Sequence, residues 1–280
     1  MSRVKEDFNY KYSILMPVYI KDNPEWLKIS IESMLKQTVF PDEFLIIKDG
    51  EVTLEIDNLL NDYKQKYPKL FNIYQMKKNV GLGKVLEYGV KVCKNEFVVR
   101  MDADDYSRKD RCEKQLEVFK NNKDYSVVGS NVEEFSENID NIISHVILPE
   151  THEEIYKFAK RRCPIRHPAL MYKKSSVIES GNYSDYFHAQ DYNLVVKMLI
   201  NECVFYNIQE PLTYMRVTSD FYKRRGGIKQ LKIIYKLKKE FYDMNFYSFS
   251  DFYISTISNG VVCLLPNFIR GLIYKKILRK

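Results

Sequence analysis

Three carboxylates, Asp102, Asp104 and Asp105, fall within four positions directly after the run Phe97-Val98-Val99-Arg100-Met101. The run reads as a short buried strand, and the carboxylates sit where it ends. Carboxylates this close repel one another unless a cation or a set of donors stands between them. Oxygen-only ligands suit a hard divalent ion, Mg2+ or Mn2+, which commonly completes its shell with substrate phosphates. The competing reading is a solvated acidic turn. A second polar cluster spans residues 161–191, with Arg166, His167, Gln190 and Asp191. Asp191 starts a predicted helix. There it is either an N-cap or first-turn carboxylate, or a general base that takes a proton from a hydroxyl nucleophile. His167 reads as a packed or hydrogen-bonded histidine, because the four histidines show no metal-ligand spacing.

The flanking pattern must hold these groups in place. Tyr12–Tyr19, Phe44–Lys48, Phe71–Tyr74 and Phe97–Met101 read as strands. Helices alternate with them, carried by Leu27, Ile31 and Met34, then Ile56, Leu60 and Tyr63, then Val85, Leu86 and Val90. This alternation predicts a mostly parallel α/β sheet with helices on both faces. In such sheets ligands bind outside the carboxyl ends of the strands. Tyr19, Asp49, the loop Asn79-Val80-Gly81-Leu82-Gly83 and Asp102–Asp105 all follow strands at that edge. Further on, the pattern predicts strands over Tyr125–Ser130, Ile142–Leu148, Ala169–Tyr172, Val204–Ile208 and Leu212–Val217, and helices over Thr151–Lys160 and from Asp191.

Several chemistries are excluded. Lys84 follows Gly83, but Lys78 and Val85 break the P-loop pattern, and Leu86 breaks GxGxxG. Five scattered cysteines with no CxxC pair support neither a zinc site nor a disulfide framework, and a reducing cytosol suits them. The polar start Met1–Asp7 predicts no signal peptide, and no apolar run predicts a bilayer span. The formal charge of +7 is uneven. Residues 221–280 carry a net +10, which leaves −3 on residues 1–220. A basic tail on a near-neutral body suits an anionic surface, either nucleic acid or membrane.

The ordered set Ile14-Leu15-Met16-Pro17-Val18-Tyr19, Ser33–Thr38, Lys48-Asp49-Gly50, Asn79–Gly83 and Arg100–Asp105, followed by Gly129-Ser130, His167-Pro168 and Gln190-Asp191-Tyr192, resembles family-2 inverting glycosyltransferases of the GT-A fold. The subgroup it is similar to builds bacterial capsule, exopolysaccharide and O-antigen units. The resemblance covers about residues 12–220. It implies a GT-A domain over residues 1–220, with a nucleotide-sugar half to about 130 and an acceptor half to about 220. Asp102-Ala103-Asp104 matches the DxD motif. The resemblance implies that Asp104 binds Mn2+ or Mg2+, and that Asp102 binds the metal or the donor's ribose. It implies that Asp49 contacts the base of a UDP-sugar, and that Pro17, Val18 and Tyr19 hold the uracil beside Gly81. Asp191 matches the catalytic base. Arg100, Asp105, His167 and Gln190 are expected in the acceptor or supporting shell. Where the family usually has Glu-Asp, this chain has Gln190-Asp191.

Residues 221–280 are expected to form amphipathic helices. Lys229, Lys232, Lys236 and Lys239 flank one apolar stripe, and Ile269, Leu272, Ile273 and Ile277 form another. They either pack on the body or lie on an anionic membrane. The resemblance favours the membrane, because acceptors in such pathways are lipid-linked, and it implies a peripheral enzyme on the cytoplasmic face. A sugar-1-phosphate nucleotidyltransferase and a nucleic-acid-binding module are the alternatives. The first lacks its glycine- and basic-rich signature after the first strand, and no motif supports the second, so no nucleic acid is expected.

Overall fold

The computed structural model describes residues 11–186, 189–218 and 226–265. The first half alternates strand and helix: β1 (Tyr12–Val18), α1 (Pro24–Leu35), β2 (Glu43–Lys48), α2 (Leu54–Lys66), β3 (Phe71–Gln75), α3 (Leu82–Val92) and β4 (Phe97–Arg100). Then come β5 (Tyr106–Ser107), α4 (Arg111–Asn121), β6 (Tyr125–Phe135), β7 (Ile142–Val146) and α5 (His152–Ala159). After a 3-10 turn at His167–Ala169 follow β8 (Met171–Lys173), α6 (Lys174–Glu179), α7 (Gln190–Ile200), β9 (Val204–Arg216), α8 (Ile228–Asp243) and α9 (Phe249–Leu264).

The strands form one sheet in the order β3-β2-β1-β4-β8-β6-β9-β5, with β7 on β6. Neighbours from β3 through β4 are parallel. Beyond β4 the sheet is mixed: β8 is antiparallel to β4 and β6, while β6 and β9 are parallel. Along β1, Ile14, Met16 and Val18 face one core, with Leu27 and Ile31 of α1 and Leu116 of α4. Leu15 faces the other, with Val85 and Leu86 of α3 and Val195 of α7. This period-2 alternation buries both faces and explains the helices on each side. Each such fully buried aliphatic side chain contributes about 1.5–3 kcal/mol.

Two predicted strands, Val204–Ile208 and Leu212–Val217, are one strand, β9. Its register against β6 shifts at Asn131, opposite Pro211. Proline cannot donate to the ladder, so the break in the sequence pattern is a bulge and not a loop. Helix α7 begins at Gln190 with Ala189 as its cap, so Asp191 is a first-turn residue and not the N-cap. In the tail, Leu237 and Phe241 of α8 are buried against the body. The predicted stripe at Ile269–Ile277 lies outside the described residues. No helix among the described residues is long and apolar enough to cross a membrane.

Candidate active site

The chain order reverses between β1 and β4, which lie side by side with β2 beyond β1. The crevice at their carboxyl ends is the switch point where an open α/β sheet binds ligands. Asp102, Asp104 and Asp105 stand there, with a ligand atom from each within 4.8 Å of the others. Burial and the adjoining Asp102 and Asp22 push Asp104 up to about 7. Burial pushes Asp105 well above the carboxylate range, with Asp104 and Asp102 adding to it. Asp22 rises to about 6, from burial first and Asp102 among its neighbours. Crowded, desolvated oxygen donors of this kind fit a hard divalent cation.

One cation already lies beneath it. Arg100 is fully buried and ion-paired with Asp102. Its guanidinium nitrogens find no other hydrogen-bond partner among the described residues. A guanidinium this desolvated is held by its carboxylate neighbours, so Arg100 fixes Asp102 in place.

The backbone of the acidic loop is pinned from two sides. Ser30 of α1 donates to the Asp102 carbonyl at 2.7 Å. Ser33 accepts the Ser107 amide at 3.1 Å, and Gln37 bonds both Arg108 and Cys112. This is what the Ser33–Thr38 motif does: it anchors the acidic loop to α1. From the far edge, Arg216 lies between Trp26 and Phe135, its guanidinium 4.4 Å and 4.5 Å from their ring centres. Its backbone amide donates to Asp105 at 2.8 Å and its Nε to the Asp104 carbonyl at 3.0 Å. Asp105 is thus 3% exposed and already engaged, which leaves Asp102 and Asp104 as the outward carboxylates.

The edge expected to hold the nucleotide has a similar logic. Pro17 and Tyr19 are half-buried at the end of β1, and Val18 is buried. The Tyr19 amide donates to the Asp22 carboxylate at 2.7 Å, which closes the turn that presents Tyr19. Asp49 accepts the amides of Val80 at 2.7 Å and Gly81 at 3.1 Å. Gly81 is the cap residue of α3 and has no side chain to cap it, and Asp49, from the loop after β2, satisfies the Gly81 amide at the head of that helix. Gly81 has φ +87°, a conformation that favours glycine. Asp49→Ala is expected to loosen the 79–81 loop while the sheet stays folded and, on the expectation that Asp49 contacts the base, to weaken UDP binding. Calorimetry with UDP beside circular dichroism checks this; parental UDP affinity rules the role out.

Asp191 is half-buried, and its Oδ1 accepts the Tyr192 amide at 2.8 Å. His167 is buried with Nε2 2.8 Å from the Tyr183 hydroxyl. Burial and the nearby Arg100 charge push His167 well below its ordinary value, so it is a neutral packing partner. Burial raises the Tyr183 phenol, with Asp191 and Asp102 both adding and Arg100 opposing. Gln190 is buried at the start of α7. Ala103 is buried between the two outward carboxylates.

Sequence reading missed Asp22, Ser30, Arg111 and Arg216. The signal for Ser30 was a polar residue on the apolar face of α1. Arg111 is fully buried and donates to the carbonyls of Arg100 at 3.0 Å and Leu170 at 3.1 Å. Asp22 and Arg216 carried no local signal, because their partners are distant in sequence or lie in backbone.

A family model described as glycosyl transferase family 2 matches residues 13–179. A UDP-Gal:alpha-D-GlcNAc-diphosphoundecaprenol beta-1,3-galactosyltransferase of Escherichia coli is 39% identical over 274 residues, covering 96% of this chain and 97% of that one. Among solved structures, S. aureus TarS 1–349 in complex with UDP-GlcNAc superposes with TM-score 0.62 at 17% identity, over 82% of this chain and 66% of that one. The mannosyltransferase PcManGT from Pyrobaculum calidifontis, in complex with GDP-Man and Mn2+, gives TM-score 0.61 at 12% identity, over 89% and 68%. Both likenesses bear on the fold.

Proposed function

The chain belongs to glycosyl transferase family 2, and from that premise we propose that it moves a hexose from a UDP-sugar to a hydroxyl of a lipid-linked saccharide, with inversion at the anomeric carbon. Family membership sets aside the nucleotidyltransferase and nucleic-acid readings. The observation that carries the proposal is the trio of carboxylates over Arg100 at the switch point of the sheet. Asp104 and Asp102 would hold Mn2+ or Mg2+, and the bound ion supplies charge stabilisation to the departing diphosphate. The PcManGT complex, which contains GDP-Man and Mn2+, supports this choice of ion.

The chain's own residues do the rest. Asp49, with Pro17, Val18 and Tyr19, holds the uracil beside Gly81. Asp191 takes the proton from the acceptor hydroxyl as that oxygen bonds to the anomeric carbon. The bond from that carbon to the diphosphate breaks on the opposite side, and UDP leaves. One displacement inverts the configuration and needs no covalent intermediate. The E. coli galactosyltransferase supports galactose as the sugar and a diphosphate-lipid as the acceptor carrier. Calorimetry of UDP with Mn2+ and then in EDTA is the test. Tighter binding with Mn2+ supports the proposal, and equal affinity in both removes the metal from it.

A lipid carrier places the work at a membrane, on its cytoplasmic face. Helix α9 exposes Phe249, Tyr253, Ile257, Val261 and Leu264 at helical spacing. Helix α8 exposes Lys229, Lys232, Lys236 and Lys239. Exposed apolar residues on α9 and exposed lysines on α8 support peripheral binding to an anionic surface. Co-sedimentation is expected to recover more protein with anionic than neutral vesicles, and deletion of residues 261–280 to reduce it. Equal recovery with both kinds of vesicle favours tail helices that only pack on the body.

A further inference from the structure

Helix α8 sits in the basic tail by sequence, yet it straddles the start of α7, where Asp191 lies. Leu237 and Phe241 form its buried ridge, and the Phe241 ring meets Tyr192 edge-on with centres 5.0 Å apart. On one flank, Lys238 is 2% exposed. Its Nζ donates to the Tyr247 hydroxyl at 2.7 Å and to the Tyr192 hydroxyl and the Arg161 carbonyl, each at 3.3 Å. On the other flank, the Glu240 carboxylate accepts the Tyr186 hydroxyl and, at 2.9 Å, the Asn193 side-chain amide. Tyr186, Tyr192 and Asn193 bracket Asp191 in sequence.

We propose that α8 is part of the catalytic body, with Glu240 and Lys238 as positioning residues that hold the start of α7 so that Asp191 faces the acceptor. This rests on Asp191 being the base. Core packing alone would be met by the ridge of Leu237 and Phe241. The flanks add a buried ammonium and a half-buried carboxylate, groups that are costly to desolvate without good partners. Burial pushes the Lys238 amine down to about 7, with Cys163 opposing. Such groups fix direction as well as contact, because their hydrogen bonds are met in one arrangement only. A misplacement of about 1 Å at a reacting group costs on the order of 10²-fold in rate.

The test compares Glu240→Ala, Glu240→Gln and Tyr186→Phe in the full chain, with UDP-galactose, Mn2+ and a GlcNAc-diphosphate-lipid acceptor. Glu240→Ala is expected to lower kcat at least about tenfold with the UDP-sugar KM within about twofold of the parent. It is also expected to speed amide exchange over residues 189–196. Glu240→Gln keeps an acceptor for Asn193 and is expected to restore most of kcat. Tyr186→Phe removes one hydroxyl, is expected to fold, and should lower kcat severalfold with donor KM unchanged. Parental kcat and exchange in Glu240→Ala and Tyr186→Phe, while Asp191→Asn is inactive, overturn the positioning role and leave the base intact. Should Glu240→Ala not fold, Tyr186→Phe and Glu240→Gln decide it, and parental kcat in Tyr186→Phe overturns the proposal. If Asp191→Asn itself transfers normally, the base assignment fails instead.

Discussion

Asp191→Asn is expected to keep donor affinity and to lose about 10²- to 10⁴-fold in transfer rate, the usual effect of removing a general base. Asp191 stands in the first turn of α7, where the helix N-terminus favours negative charge. Asparagine has the same shape, and its side-chain oxygen can still accept the Tyr192 amide that Asp191 accepts at 2.8 Å. The helix start should therefore survive, while the ability to take a proton does not. Donor binding should barely change, because Asp191 is assigned to the acceptor and not to the diphosphate. Transfer rate and donor affinity, measured beside the parent, separate these effects. Near-parental transfer by a folded variant would make Asp191 a structural first-turn carboxylate.

The second large effect is expected at Asp104. Loss of a supporting partner around a metal site typically costs about 10- to 100-fold in metal affinity, and loss of a ligand costs no less. Asp104→Asn should thus bind UDP in Mn2+ as weakly as the parent does in EDTA. The substitution also removes a carboxylate that burial and its neighbours Asp102 and Asp22 push up to about 7. The fold should not suffer, because the Asp104 contact with Arg216 runs through its backbone carbonyl. Titration of UDP into parent and variant, with and without Mn2+, reads this directly. A variant whose metal response matches the parent's rules out Asp104 as the ligand.

Much of the fold was legible because burial leaves a period in the sequence. β1 shows this: Ile14, Met16 and Val18 alternate with Leu15 across two cores. The acidic loop was legible because a strand end fixes where its carboxylates go. Other features were not, and the reason is the same in each case. Residues 209–211 separate two predicted strands, because Pro211 interrupts the pattern, but the parallel partner β6 carries one strand through a shift of register. β5 has two residues, too few to show any period. Asp22 and Arg216 act on the site through backbone amides and carbonyls, which every residue type has. The role of α8 was hidden by its composition. Lys238 reads as one more tail lysine, and only the fold places it 2.7 Å from Tyr247 behind α7.

The central claim is a single inverting displacement from a UDP-sugar. The measurement that tests it most directly is the anomeric configuration of the product. The full chain is incubated with α-linked UDP-galactose, Mn2+ and a GlcNAc-diphosphate-lipid acceptor, and the new linkage is read by proton NMR. A β-linked product that forms in Mn2+ and fails to form in EDTA is the predicted result. An α-linked product would contradict the single displacement with Asp191 as base.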